Sequence, residues 1–242
     1  MRDINLEGTL RASPLFAGID ENTMIGLGAR AVRRRFTRGE AIWRARQPAS
    51  QISVIRSGLV KIVRFGDDGA TSIVSIFGPH EVIGLLGLLT DGVFLADAIA
   101  ASSTVEVASI DAQALRAAMD TCPVLTKSMN RELASLSREL DEKIQIMSAG
   151  TVERRLAALL LHMFDRFGDE LEGGTYCVPV SLTRIELASL VGATVETTIR
   201  TMSRWHKSGV VRTTPDGFML DDLSVLRAIR AHARTPCAPA AE

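Results

Sequence analysis

Residues 178–220, VPVSLTRIELASLVGATVETTIRTMSRWHKSGVVRTTPDGFML, alternate caps, short apolar-faced segments and glycines in an order that few folds satisfy. A short strand leads to the hydroxyl-rich Ser181-Leu182-Thr183. Leu187, Leu190 and Val191 then mark the apolar face of a helix of one to two turns, which stops at Gly192. Thr194 caps a longer helix whose inner face carries Thr198, Met202 and Trp205, and Gly209 ends it. Residues 210–220 read as two short strands around Pro215-Asp216-Gly217. Cap, helix, glycine turn, cap, helix and hairpin is the layout of a winged helix-turn-helix. Helix–glycine–helix alone is common in small domains; the two caps and the wing are what single this segment out. The major groove of B-DNA, about 12 Å wide, accepts one such helix. Its outer face would offer Glu196, Arg200, Arg204 and Lys207 to base edges and phosphates.

Charge supports a local interface and no general one. The chain has 28 basic and 28 acidic residues and no formal net charge, so it lacks an overall field that attracts nucleic acid. Within residues 195–212, however, Arg200, Arg204, Lys207 and Arg212 face only Glu196. At 242 residues the chain is long enough for two domains with separate cores. No segment reads as a signal peptide or membrane span, and the apolar run 82–89 is short and holds glycines. A cytoplasmic protein is expected. Cys122, Cys177 and Cys237 stand far apart and read as reduced thiols. Three cysteines cannot supply the four ligands of an iron–sulfur cluster. Residues 235–242, rich in Pro and Ala, read as a flexible tail.

The N-terminal half is strand-rich. After Leu10, Leu15 and Phe16 and a helix near 21–28, strand-like runs occupy 31–36, 41–43, 51–55, 59–65, 71–77, 97–101 and 105–110. Turn signals separate them at Arg38-Gly39, Gln47-Pro48, Ser57-Gly58, Gly66-Asp67-Asp68-Gly69 and Gly78-Pro79. Short strands at this spacing predict an antiparallel barrel or jelly roll. A glycine-punctuated apolar turn of helix, residues 83–89, interrupts it.

Residues 122–148 predict a long helix. Met129, Leu133, Leu136, Leu140, Ile144 and Met147 recur at steps of four, three, four, four and three, flanked by Arg131, Glu132, Arg138, Glu139, Asp141, Glu142 and Lys143. A helix packed only on its own domain would want a broader apolar face, so this narrow seam predicts a two-stranded coiled coil and a homodimer.

The expected architecture is therefore α+β: a sensor β-roll over residues 1–120, a dimerisation helix over 121–149, a winged helix-turn-helix over 150–234 and the tail. In this order the chain resembles the CRP/FNR superfamily of bacterial transcription regulators. Ser57-Gly58-Leu59-Val60-Lys61 looks like the family's glycine turn between barrel strands. Gly84-Leu85-Leu86-Gly87-Leu88 sits where the family keeps its effector cassette, in a domain like that of the cyclic-nucleotide-binding members. Thr194-Val195-Glu196-Thr197-Thr198-Ile199-Arg200 matches the recognition helix. The resemblance implies palindromic double-stranded DNA, RNA polymerase and a second copy of the chain as partners.

The resemblance also assigns roles. The family's recognition helix uses a glutamate and, four residues on, an arginine, here Glu196 and Arg200. Arg200 can donate twice to guanine O6 and N7 while Glu196 accepts from cytosine N4. Val195 stands where the cyclic-AMP receptor has arginine, as in the FNR-like branch, and Ile199 stands where that branch usually has serine. Thr183 and Arg184 look placed for phosphate contacts. In cyclic-nucleotide-binding members a glutamate binds the ribose and an arginine-serine pair binds the phosphate; those positions are Leu85, Leu95 and Ala96. Burying a phosphate there would leave its charge unpaired. Val82, Gly84, Leu85, Leu86, Gly87, Leu88, Leu95 and Ala96 are thus expected to form an apolar effector pocket for something other than cyclic AMP or cyclic GMP. A hydrophobic ligand, a haem, or the protein's own side chains could fill it, the last giving constitutive activity.

A haem-based sensor of nitric oxide or carbon monoxide is the alternative function, with His80 as the candidate ligand among His80, His162, His206 and His232. The competing reading of His80 is a surface turn. No other metal site is expected. An enzyme is not expected, because the catalytic motifs G-x-S-x-G and H-E-x-x-H and a phosphate-binding glycine loop are missing. Asp67-Asp68 and Asp221-Asp222 read as solvated turn carboxylates. A ligand-binding module without DNA binding would leave residues 194–200 unexplained.

Overall fold

Strand pairing in the N-terminal region follows the turn signals of the sequence. The computed structural model describes residues 4–66, 71–90, 92–171 and 174–231. Asp67, Asp68, His232, Cys237 and the tail lie outside the described residues. The chain divides into two compact units, Met1–Lys143 and Ile144–Glu242.

The first unit opens with α1 (Ile4–Arg11), a 3-10 turn (Pro14–Phe16) and α2 (Glu21–Gly28). The strands β1 (Val32–Thr37), β2 (Ala41–Trp43), β3 (Gln51–Ser57), β4 (Val60–Phe65), β5 (Thr71–Phe77) and β6 (Val82–Ile83) follow. Next come α3 (Leu85–Leu89), β7 (Asp97–Ala100), β8 (Thr104–Asp111), α4 (Ala112–Thr121) and α5 (Pro123–Met147). Two four-stranded sheets form, ordered β1-β8-β3-β6 and β2-β7-β4-β5, and every strand pairing is antiparallel. Register shifts at Ile55/Ser57 and Ile62/Val63 bend the strands, as a closed roll requires.

Two cores follow from this layering. Ile42, Trp43, Ile55, Val60, Phe77, Ala98, Val105 and Val107 come from both sheets and, with Phe94 from the segment before β7, fill the roll interior. Ile52, Val54, Ala108 and Ile110 alternate with them on β3 and β8 and face outward, against Leu10, Phe16, Met24, Leu115, Leu125 and Met129 of the helices. One sheet is therefore covered on both faces.

Helix α5 matches the expected long helix to within a residue at each end. Its seam divides. Met129, expected at a dimer interface, is a core residue of the first unit at 1% exposure, because the helix begins by packing on the layer made by α1, α2 and α4. Leu133 and Leu136 are half-buried, and Leu136 packs on the roll interior. Leu140, Ile144 and Met147 are exposed, at 54%, 62% and 43%. The helix is also fastened to edge strand β5: Ser75 Oγ donates to Glu139 Oε2 at 2.8 Å and Lys143 Nζ donates to the Ile73 carbonyl at 2.6 Å. Burial pushes the Lys143 amine below its usual range.

The second unit holds α6 (Val152–Phe167), β9 (Asp169–Leu171), β10 (Thr175–Val178), α7 (Arg184–Val191), α8 (Val195–Lys207), β11 (Val211–Thr214), β12 (Gly217–Leu220) and α9 (Leu223–Ala231). Its sheet runs β11-β12-β10-β9, antiparallel throughout. Leu156 and Leu160 of α6, Leu187 and Val191 of α7, Met202 and Trp205 of α8, and Phe218 and Leu220 of β12 are buried. Tyr176 meets Phe164 edge-on at 5.3 Å. The sequence reading had no element at α1, α4, α6 or α9. The run Leu156-Ala157-Ala158-Leu159-Leu160-Leu161 in α6 is buried nearly all round, so it lacks the one-sided period that marks a surface helix. No helix among the described residues is long and apolar enough to cross a membrane.

Candidate nucleic-acid interface and sensor cassette

The helix-turn-helix is built by its caps. Thr183 and Glu186 close a reciprocal capping box on α7: the Glu186 amide donates to Thr183 Oγ1 at 3.1 Å and the Thr183 amide donates to Glu186 Oε2 at 2.8 Å. Gly192 ends α7 at φ +59°, a left-handed conformation that glycine adopts without strain. Arg155 of α6 reaches the same turn, donating from Nη1 to the Val191 and Gly192 carbonyls at 2.7 and 2.9 Å. Thr194 caps α8 through the Thr197 amide at 3.2 Å. Thr198 and Thr201 donate back to the Thr194 and Thr197 carbonyls, so their hydroxyls are consumed inside the helix.

The outer face of α8 is the candidate interface. Glu196, Arg200, Ser203 and Lys207 follow one another at steps of four, three and four, which aligns them on one exposed stripe. Arg200, Ser203, Arg204, Lys207 and Ser208 line a shallow open depression there. Among the described residues the side chains of Glu196, Arg200 and Lys207 make no hydrogen bond or ion pair within the chain, and Glu196 and Arg200 do not pair with each other. Ile199 is 45% exposed beside them, and Val195 is half-buried one turn earlier. The sequence reading missed Ser203, although the 200–203–207 spacing contains it.

Other expected DNA contacts have structural engagements. Arg204 Nη2 pairs with Glu153 Oε2 at 2.8 Å, while Glu153 Oε1 accepts from the buried Trp205 indole at 3.0 Å. One carboxylate at the start of α6 thus holds two adjacent residues of α8. Arg184 is half-buried and donates to Thr213 Oγ1 of β11 at 2.9 Å, tying α7 to the wing, and burial lowers its pKa. Ser181 Oγ donates to the Pro215 carbonyl at the wing tip at 3.1 Å. Arg212 pairs with Asp221 at 2.6 Å. Glu153 and Arg155 are positioning residues that the sequence reading missed; their partners are distant in sequence.

The cassette expected to line a pocket is distributed over different environments. Val82, Leu85 and Leu88 belong to the helix-covered core, Leu85 at 2% exposure. Leu86 and Leu95 are exposed, at 46% and 44%, while Ala96 is buried and Gly84 half-buried. Successive residues of a helix point about 100° apart, so the leucines of α3 divide, Leu85 and Leu88 inward and Leu86 and Leu89 toward solvent, and the run does not line one wall. Gly87 is where α3 meets the next loop: a Cβ there would lie 2.8 Å from the Val93 carbonyl oxygen and 3.0 Å from Ala49 Cβ. Within the roll, Trp43 and Phe94 stack at 4.2 Å between ring centres, and the Trp43 indole donates to the Ala96 carbonyl at 3.1 Å. Asp97 is 5% exposed and paired, accepting from Arg44 at 2.7 Å and the Ala45 amide at 2.8 Å.

His80 is exposed in a turn at φ +72°, its amide donating to the Ile55 carbonyl at 2.7 Å. That placement does not fit an axial ligand directed into a pocket. Cys122 is buried, and the Cys177 thiol is pushed up by burial and by the Asp169 and Asp216 carboxylates, which disfavours thiolate. Groups of three or more metal-binding side chains are absent among the described residues.

A β-roll, a long helix and a winged helix-turn-helix with an unengaged charged stripe together define a one-chain regulator, in which sensor and DNA reader share a polypeptide. Comparison with known proteins agrees. The cyclic nucleotide-binding domain family matches residues 33–122 and the Crp-like helix-turn-helix domain family matches residues 154–229. A CRP-like cAMP-activated global transcriptional regulator from Mycobacterium tuberculosis is 28% identical over 90% of this chain and 96% of its own. The transcriptional activator protein anr of Pseudomonas aeruginosa is 25% identical over 74% of this chain and 72% of its own. The structure of FixK2 from Bradyrhizobium japonicum superposes with a TM-score of 0.70 at 21% identity, covering 84% of this chain and 99% of the other. The chain belongs to the CRP/FNR family of DNA-binding transcription regulators.

Proposed function

We propose that the protein acts as a homodimer on a near-palindromic operator, read by α8 of each copy, and that neither cyclic AMP nor cyclic GMP is its signal. The observation that carries the operator reading is the Glu196, Arg200, Ser203 and Lys207 stripe, exposed and unengaged on the capped second helix. Arg200 and Glu196 read one G·C pair per half-site, and Lys207 contacts phosphate. Two such helices need half-sites one helical turn apart, about 34 Å. The exposed Leu140, Ile144 and Met147 supply the dimer seam, and RNA polymerase is the further partner. It works by binding and not by catalysis, in the cytoplasm.

The mycobacterial relative is named for activation by cyclic AMP. Here the matching cassette presents Leu85, already packed in the core, exposed Leu95, and Ala96. None of these three side chains can neutralise a phosphate, and the residue that follows Ala96, the buried Asp97, is a carboxylate already paired with Arg44. A cyclic nucleotide does not fit these residues. The test is binding-site selection from random DNA with the full-length protein, followed by titration with cyclic AMP and cyclic GMP at millimolar concentration. A palindromic site with a G·C pair in each half, bound equally with and without nucleotide, is the expected result. Micromolar binding of either nucleotide, or a selected site without dyad symmetry, would refute the corresponding half of the reading.

A further inference from the structure

We infer that Ile199 is a specificity-determining residue that reads the 5-methyl group of a thymine next to the G·C pair contacted by Arg200 and Glu196. The inference rests on the operator reading above and extends it to a second base pair. Ile199 lies three residues after Glu196 and one before Arg200, on the same outward side of α8. At 45% exposure it is the large apolar side chain that α8 presents outward. The neighbouring hydroxyls are engaged within the helix: Thr194 donates to Thr197 Oγ1 at 3.0 Å, while the buried Thr198 and Thr201 donate to backbone carbonyls. Val195, one turn earlier, extends the apolar surface beside the charged stripe.

An isoleucine here gains nothing from water and has no hydrogen bond to offer. It gains free energy only when an apolar group covers it. A major groove presents one apolar group that stands out from the base edge, the C5-methyl of thymine, where cytosine has only a C5–H; the recognition groups beside it are hydrogen-bond donors and acceptors. Ile199 buries that methyl while Arg200 and Glu196 satisfy the polar edges alongside. The same geometry treats 5-methylcytosine better than cytosine, because the chemistry read is the methyl and not the base.

The experiment starts from the operator recovered by selection. At the thymine beside the conserved G·C pair, one operator set carries thymine or deoxyuridine and another carries cytosine or 5-methylcytosine. Affinities are measured for the wild type, Ile199→Ala and Ile199→Ser, after thermal melts show that the variants fold as the wild type does. Removing one methyl from each half-site should weaken wild-type binding about fourfold per half-site. 5-Methylcytosine should recover part of what cytosine loses. For both variants thymine and deoxyuridine should bind alike, while the preference for the G·C pair persists. Equal wild-type affinity for thymine and deoxyuridine, or a selected site without thymine there, overturns the inference and leaves the operator reading standing. Failure to enrich any sequence overturns both.

Discussion

The two units answer differently to the same family likeness. In the second unit the stretch that resembles the recognition motif forms a capped helix, with Glu196 and Arg200 exposed and their side chains unengaged while Thr198 turns inward. In the first unit the roll is kept, but the polar residues that would hold a cyclic nucleotide are Leu85, Leu95 and Ala96, and an aromatic stack of Trp43 and Phe94 occupies the interior. A surface that reads DNA needs particular groups at fixed spacing on a rigid helix. An interior can change its ligand by exchanging side chains of similar volume while the sheets stay in place. The likeness is therefore carried by side chains on the outside of α8 and by the strand layout alone inside the roll.

The largest expected effect tests whether the units are separate cores. Trp205→Ala should cost about 3–5 kcal/mol, from cavity formation and loss of the Glu153 hydrogen bond, and act on the second unit alone. Calorimetry should show one transition lowered; an equal drop in the first unit's melting would break the division. Next, Leu140→Glu places a carboxylate in the proposed seam without disturbing a core, since Leu140 is exposed in the single chain. Sedimentation should show monomers with weakened operator binding. A fully dimeric variant would move the interface elsewhere.

Arg200→Ala should cost roughly 1–3 kcal/mol per half-site and relax selection at the G·C pair alone. Recovering the same G from the variant would remove Arg200 from its role. Lys207→Ala should weaken binding to all sequences alike and reduce the salt slope by about one unit per site. Arg204→Ala should change the salt slope less, because Arg204 is already paired with Glu153. If the two variants have the same slope, the distinction between free and engaged cations on α8 is wrong.

The smallest effect concerns the first unit. Burial, with Glu81 and Glu139 nearby, raises the Glu132 carboxyl above the usual glutamate range. A carboxyl whose folded pKa is raised contributes stability below its unfolded pKa and loses it as pH rises through the folded value. Glu132→Gln should therefore raise the first unit's melting temperature slightly at pH 7, and the gain should vanish near pH 4. A gain independent of pH would place its origin in packing.

How much was legible depended on whether a residue's role is local. The capped helices, the wing around Pro215-Asp216-Gly217 and the strands between turn signals could be read directly, because caps, turns and alternation act over a few residues. The seam of α5 was legible as a period but not as a partition: spacing shows that Met129 and Leu140 share a stripe, not that a domain has claimed Met129 and left Leu140 exposed. Arg184 and Arg204 have the composition of DNA contacts, yet Thr213 and Glu153, 29 and 51 residues away in sequence, hold them. The amino-acid sequence by itself determined the strand-rich first half, the long helix and the capped helix-turn-helix with its wing, but not the helices α1, α4, α6 and α9. Only the tertiary structure decided which leucines of the cassette are core, which cations remain free, and what fills the roll. Those outcomes depend on contacts between residues far apart in the chain, which a local pattern does not encode.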